Sequence, residues 1–207
     1  MRRFLSFRFM TFCLVAAALA ISTGCSSGPD VKATADSMGT FGIETAKAKD
    51  SIDGTLKALE ALVGTQASDI KVPFDAYTKS LTALDEQANV VRKHAGEMKA
   101  AGDLFFKKWE ADATATVSPE RRAELSASYT RIKEDMAQAG DTFTPFLASL
   151  KDIQSYLKLD LSLKGINDMA DLVKKANDDG AQVKSRIEAV IVQVNSVRGM
   201  LSAEPAK

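Results

Sequence analysis

Apolar residues recur along this chain at alternating intervals of three and four positions. One series runs Phe74, Tyr77, Leu81, Leu84, Ala88, Val91, Ala95, Met98, Gly102, Phe105 and Trp109. A second is Leu125, Tyr129, Ile132, Met136, Ala139, Phe143, Phe146, Leu150, Ile153 and Leu157. A third is Ile166, Met169, Val173, Ala176, Gly180, Val183, Ile187, Val190, Val194, Val197 and Leu201. A mean interval of 3.5 residues lines these side chains along one face of an α-helix, so each series predicts a long amphipathic helix. A weaker series, Met38, Phe41, Thr45, Ala48, Ile52, Leu56, Leu59 and Val63, predicts a further helix ahead of them, with Gly54 and the threonines lowering its intrinsic propensity.

The punctuation agrees with the periodicity. Gly64 marks the end of the first helix, Asp69 is placed to cap the second, and Pro73 lies close enough to its start to be tolerated. Ser118-Pro119-Glu120 combines a capping hydroxyl, a proline at the first helical position and a carboxylate near the positive end of the helix dipole. Ser162 is placed to cap the last helix. Short connections favour antiparallel neighbours. The expected fold is therefore all-α: an elongated antiparallel bundle of about four long helices with coiled-coil-like heptad packing, about 55 to 60 Å long at about 1.5 Å per residue.

Two features inside the seams carry structural expectations. Ala88, Ala95, Gly102, Ala176 and Gly180 are small, so they either let helix backbones approach closely or leave a cavity; close packing is the expectation, because interiors are normally filled. Pro145 cannot donate to the carbonyl of Asp141, which predicts a kink. Phe143 and Phe146 hold the seam's phase across it, favouring one bent helix over two, with a functional hinge as the alternative.

The segment before the first helix has another character. Arg2, Arg3 and Arg8 precede an uncharged run of 13 residues, 9–21, about 20 Å long as a helix and short of the roughly 30 Å needed to span a bilayer. Ser22-Thr23-Gly24-Cys25 follows, and it resembles the lipobox of bacterial lipoproteins, with Ser22 in place of the usual leucine. Residues 1–24 are thus read as a lipoprotein signal peptide, Cys25 as the lipid attachment site and residues 25–36 as a flexible tether. Residues 37–202 form the helical bundle domain and 203–207 a disordered tail. The alternatives are an ordinary cleaved signal or an uncleaved anchor. Acyl chains contribute about 0.8 kcal/mol per buried methylene, so two or three of them moor a protein to a bilayer. By resemblance to proteobacterial lipoproteins, Ser26 implies the periplasmic face of the outer membrane of a bacterial cell envelope.

Composition narrows the function. Without residues 1–24 the chain keeps 24 basic and 27 acidic residues, a formal charge of −3, so no basic footprint for nucleic acid is expected. Cys13 leaves with the leader, which leaves no disulfide in the remainder. His94 is the only histidine, one residue off the seam, and reads as a surface residue. One histidine cannot furnish the paired Glu-x-x-His motifs of a carboxylate-bridged metal pair, and no phosphate-binding glycine loop or nucleophile elbow occurs. Asn177-Asp178-Asp179-Gly180 lacks the alternating ligands of a calcium loop and reads as a solvated helical face. No catalytic, metal or cofactor-binding residues are assigned, and the chain is not expected to be an enzyme.

Lys107-Lys108-Trp109-Glu110, Glu120-Arg121-Arg122, Tyr129, Met136, Phe143-Thr144-Pro145-Phe146-Leu147, Leu157-Lys158-Leu159-Asp160-Leu161 and Ile166 together resemble domain of unknown function 2959. The resemblance covers most of residues 40–202. It implies a bacterial, lipoprotein-like helical protein and brings no activity with it. That family's turn, rich in asparagine with a histidine, stands here as Leu159-Asp160-Leu161-Ser162.

Two functions remain open on the sequence. The first is a membrane-anchored, non-catalytic envelope protein with a structural role, its exposed faces binding another protein, a second copy of itself or the cell wall. Phe105, Phe106 and Trp109 are its possible interaction patch, because Phe106 widens the apolar face beyond one stripe; the expectation is that the first helix covers them and makes them core, and exposure would make them the patch. The second is a carrier or sensor of an apolar small molecule, using space opened beside Gly102 and Gly180 and gated near Pro145.

Overall fold

The computed structural model describes residues 30–66, 69–111 and 118–202. Four long helices, α1 (Val31–Val63), α2 (Lys71–Ala111), α3 (Pro119–Leu159) and α5 (Ala170–Ser202), run alternately up and down, with a single-turn helix α4 (Leu163–Asp168) leading into α5. The 41 residues of α2 or α3 rise about 60 Å. The fold is the expected all-α bundle. The leader, Cys25 and the tail fall outside the described residues.

Local chemistry explains the boundaries. Asp30 caps α1, its carboxylate accepting from the Ala33 N–H at 2.8 Å, so residues 31–36 are helical rather than part of a tether. Thr34 and Ala35 are already buried there. The helix therefore starts where the cap stands, a signal outweighed in the sequence by the polar, small-residue composition around it. At the start of α3, Ser118 Oγ accepts from the Arg121 N–H at 3.2 Å and Pro119 occupies the first turn. Ser162 caps α4, accepting from the Gly165 N–H at 3.0 Å, and Met169 separates α4 from α5. α3 continues unbroken through Pro145.

The seam of α1 differs from its expected course. The buried positions run Met38, Phe41, Thr45, Ala48, Ile52, Thr55, Leu59 and Leu62, an unbroken heptad in which Thr55 and Leu62 stand where Leu56 and Val63 were expected. Thr55 is accommodated because its hydroxyl lies within hydrogen-bonding distance of the Ser51 carbonyl (2.8 Å) and the Ser80 carbonyl of α2 (3.1 Å). A buried hydroxyl so placed is tolerated in a core.

The core falls into two clusters. One joins Ile52, Leu59 and Leu62 to Tyr77, Leu84, Phe146, Leu150 and Ile153; the other joins Met38 and Phe41 to Met98, Phe105, Trp109, Leu125, Ile132 and Val194. α1 packs along α2 and α5, and α5 along α3, whereas α2 and α3 meet over much less of their length.

Replacing Ser118 with alanine removes the α3 cap, worth about 1 kcal/mol, and should lower the melting temperature by about 2 to 4 °C without altering helix content. Calorimetry alongside circular dichroism reads both.

Candidate functional site

The aromatic trio is core rather than an exposed patch. Phe105, Phe106 and Trp109 are 3%, 6% and 5% exposed. Phe105 and Phe106 meet edge to face with centroids 5.1 Å apart, and Phe106 stacks on Tyr129 of α3 at 4.7 Å. The reason lies at Gly102, where a Cβ would collide with the Tyr129 ring, so the ring crosses the α2 backbone there. The Tyr129 hydroxyl donates within this corner, with the Lys99 carbonyl at 2.9 Å and Asp103 Oδ1 at 3.1 Å. Burial, followed by the nearby Asp103 charge, pushes its ionisation up, so it stays a donor at neutral pH. Lys133 lies 4.7 Å from that ring's centroid and 3.2 Å from Asp103. This corner pins α2 to α3 at one end of the bundle.

A second pin holds the other end. The buried Tyr77 hydroxyl donates to the Leu150 carbonyl at 2.7 Å, and Lys151 pairs with Asp85 at 2.9 Å. Between the pins, α2 presents Ala88, Val91 and Ala95, and α3 presents Met136, Ala139, Gly140, Phe143 and Ala148. Ala88 and Ala95 on one side and Ala139, Gly140 and Ala148 on the other are too short to bridge the separation there. A cleft of about 530 Å³ results, floored by Phe41, Thr45 and Ala48 of α1 and by Val183, Ile187 and Val190 of α5. That volume lies within the range of small-molecule sites, roughly 300 to 1,000 Å³.

The seams register this opening. Val91, Ala95, Met136, Ala139 and Phe143 are only half-buried although they occupy core positions of their heptads, and all five line the cleft. Gly102 and Gly180, beside which space was expected, are filled: a Cβ on Gly180 would lie 2.8 Å from Leu56 and 3.1 Å from Phe146. The space is lined instead by Ala88 and Ala95 of α2 and by Ala139, Gly140 and Ala148 of α3.

The cleft's charged residues, Arg92, Asp141 and Lys151, are exposed at its margin. Asp141 is also the residue whose carbonyl Pro145 deprives of its helical donor. Deeper in, the lining is apolar except at Thr45, which is 4% exposed. Its hydroxyl has no hydrogen-bond partner.

Elsewhere, polar groups form local pairs. His94 pairs with Glu97 on its own helix at 2.8 Å. Asp178 and Asp179 pair with Lys174 and Lys175 one turn earlier. Glu44 is held below its ordinary carboxylate range, first by a hydrogen bond from Lys47 and then by one from Gln87 of α2, whose side-chain nitrogen lies 3.0 Å from it. Among the described residues, no group of three or more His, Cys, Asp or Glu side chains is placed to hold a metal, and no helix is long and apolar enough to cross a membrane.

The chain matches the family described as "Protein of unknown function (DUF2959)" over residues 38–200, and it belongs to that family. No curated protein and no solved structure matches it.

Truncating Phe106 to alanine should cost about 3 to 5 kcal/mol, lowering the melting temperature by roughly 10 °C, as expected for core. A surface aromatic would leave it unchanged. Acid unfolding probes Glu44: its depressed folded-state value gives a stabilisation present above the ordinary value of 4.5 and lost as pH falls through the depressed one. Gln87→Met should therefore weaken the fall in stability below pH 4.5, measured by denaturant titration across pH.

Proposed function

We propose that this member of the family is a non-catalytic binding protein of the bacterial cell envelope, moored by acyl chains on Cys25, that holds an apolar small molecule between α2 and α3. The carrying observation is the cleft itself. An apolar cavity of about 530 Å³ interrupts a core that is otherwise closely packed on either side of it. Leaving five seam positions half-buried sacrifices hydrophobic stabilisation that larger residues at Ala95 or Ala139 would recover, and a ligand would restore it.

The leader and Cys25 support the anchoring, and Ser26 the periplasmic face of the outer membrane. Mooring by lipid suits a binder of apolar molecules, because such ligands concentrate in the bilayer beside it. Residues available for the ligand are Val91, Met136, Phe143, Ile187 and Val190 along the walls and floor, with Arg92 and Lys151 at the margin.

The structural or protein-partner reading keeps one supporting observation, and it is not the aromatic trio. Leu159, Leu161 and Leu163 are exposed at the turn between α3 and α4, Leu159 at 90%. By the order of the helices that turn lies at the opposite end of the bundle from the start of α1, about 50 Å away along a 33-residue helix. A partner reached across the periplasm would meet it first.

Native mass spectrometry of the full chain extracted from membranes under mild conditions tests the binding role. A retained apolar molecule is expected on the natural protein and is expected to be lost from Ala139→Phe, which fills the cleft, at unchanged or raised melting temperature. An empty natural protein, or equal retention by both, would contradict it.

A further inference from the structure

Two ion pairs cross from α2 to α3, Asp85 to Lys151 at 2.9 Å and Asp103 to Lys133 at 3.2 Å. The two aspartates are eighteen residues apart on α2 and the two lysines eighteen apart on α3, about five turns in each case, so one stripe of α2 faces one stripe of α3 in antiparallel register. Arg92 stands one heptad from Asp85 on that stripe, and so faces α3 at the margin of the cleft it lines. The same register sets Thr144 level with it on α3, with Gly140 one turn away, and both line the cleft. The Thr144 hydroxyl lies 3.0 Å from the Gly140 carbonyl, to which it donates, and Gly140 has no side chain. The counter-charge that stands opposite Asp85 and Asp103 is missing opposite Arg92.

Among the described residues, the exposed Arg92 side chain makes no ion pair, and its hydrogen bond goes to the neutral Asn89 amide on its own helix. A guanidinium has five N–H donors, so most of them are left for another partner. Lys151, the other cation of the cleft, is paired with Asp85. Asp141 also lines the cleft, but it stands about 60° round α3 from Thr144, on the side away from Phe143, and forms no ion pair with Arg92. Inward of this margin the walls are hydrocarbon, with Val91, Ala95, Met136, Ala139 and Phe143. At roughly 30 Å³ for each water-sized group, about 530 Å³ holds roughly eighteen methylenes, one acyl chain rather than two.

On the reading that the cleft is a ligand site, we propose that its occupant is a single-chain lipid with an anionic head group, a carboxylate or phosphate, whose chain lies in the cleft and whose head group is bound at the margin by the Arg92 guanidinium. The planar fork of the guanidinium matches the paired oxygens of either anion. Arg92 then distinguishes an anionic lipid from a neutral one with the same chain. Because the side chain is exposed, water screens the pair, and the discrimination is about threefold to tenfold in affinity.

The test uses the full chain in lipid nanodiscs and four probes that carry the same diazirine-bearing chain: the carboxylic acid, its methyl ester, the alkyl phosphate and a two-chain phosphatidate. Adducts on cleft peptides are quantified by mass spectrometry at graded probe concentrations, at about pH 8 so that the acids are ionised. The carboxylate or the alkyl phosphate is expected to reach half-maximal labelling at a threefold to tenfold lower concentration than the ester, and the stronger of the two identifies the head group. Arg92→Gln should abolish that preference without lowering the melting temperature, Arg92→Lys should keep part of it, and added salt should weaken it in the natural protein. Equal labelling by the ester and both anions, or a preference that survives in Arg92→Gln, would overturn the proposal while leaving the cleft a binding site. Labelling by the phosphatidate as strong as by the alkyl phosphate would overturn the single chain. Absence of cleft labelling by any probe would remove the binding reading itself.

Discussion

The separation of α2 and α3 governs the rest of this structure. Two tyrosines set it, Tyr77 reaching the Leu150 carbonyl at one end and Tyr129 lying across Gly102 at the other. Each is a large side chain whose hydroxyl is satisfied by a main-chain carbonyl, so each fixes a distance as well as burying area. Between such fixed points the gap closes only where the residues on the two helices fill it. Ala88 and Ala95 on one side and Ala139 and Gly140 on the other do not fill it.

The division of the core follows from the same constraint. α1 and α5 pack against each other and against their outer partners along the bundle, which supplies its continuity. Of the two clusters on either side of the cleft, one is rich in Leu and Ile and the other in aromatic residues, Val and Met. The cleft therefore stands between two well-packed blocks, a setting in which an apolar site keeps its shape when empty.

The fold was largely legible in the sequence, because heptads sustained over so many turns have one economical solution. Ser118 and Ser162 stood out as caps for the same reason that they act as caps: each sits immediately ahead of a periodic run. Asp30 was obscured by the small polar residues around it. Thr55 was passed over for Leu56 because hydropathy ranks leucine higher, while the heptad's phase, followed strictly, selects the threonine that the Ser51 and Ser80 carbonyls accommodate. The site was much less legible. Small seam residues permit either close approach or a void, and the choice depends on the side chain across from them: Tyr129 fills the space at Gly102 and Phe146 that at Gly180, while Ala88, Ala95 and Ala139 line the cleft. Small residues near the middle of both the α2 and α3 seams were the available signal. The aromatic trio could be read both ways, because a face wider than one stripe marks deep burial as readily as exposure, and burial was the expectation that held.

The most direct measurement is a crystal structure of the protein pressurised with xenon, which enters preformed apolar cavities. The account predicts xenon, or the density of a retained hydrocarbon, between Val91, Met136 and Phe143, with α2 and α3 apart at Ala95 and Ala139. A structure with α2 and α3 in contact along their whole length, and no xenon between them, would contradict it.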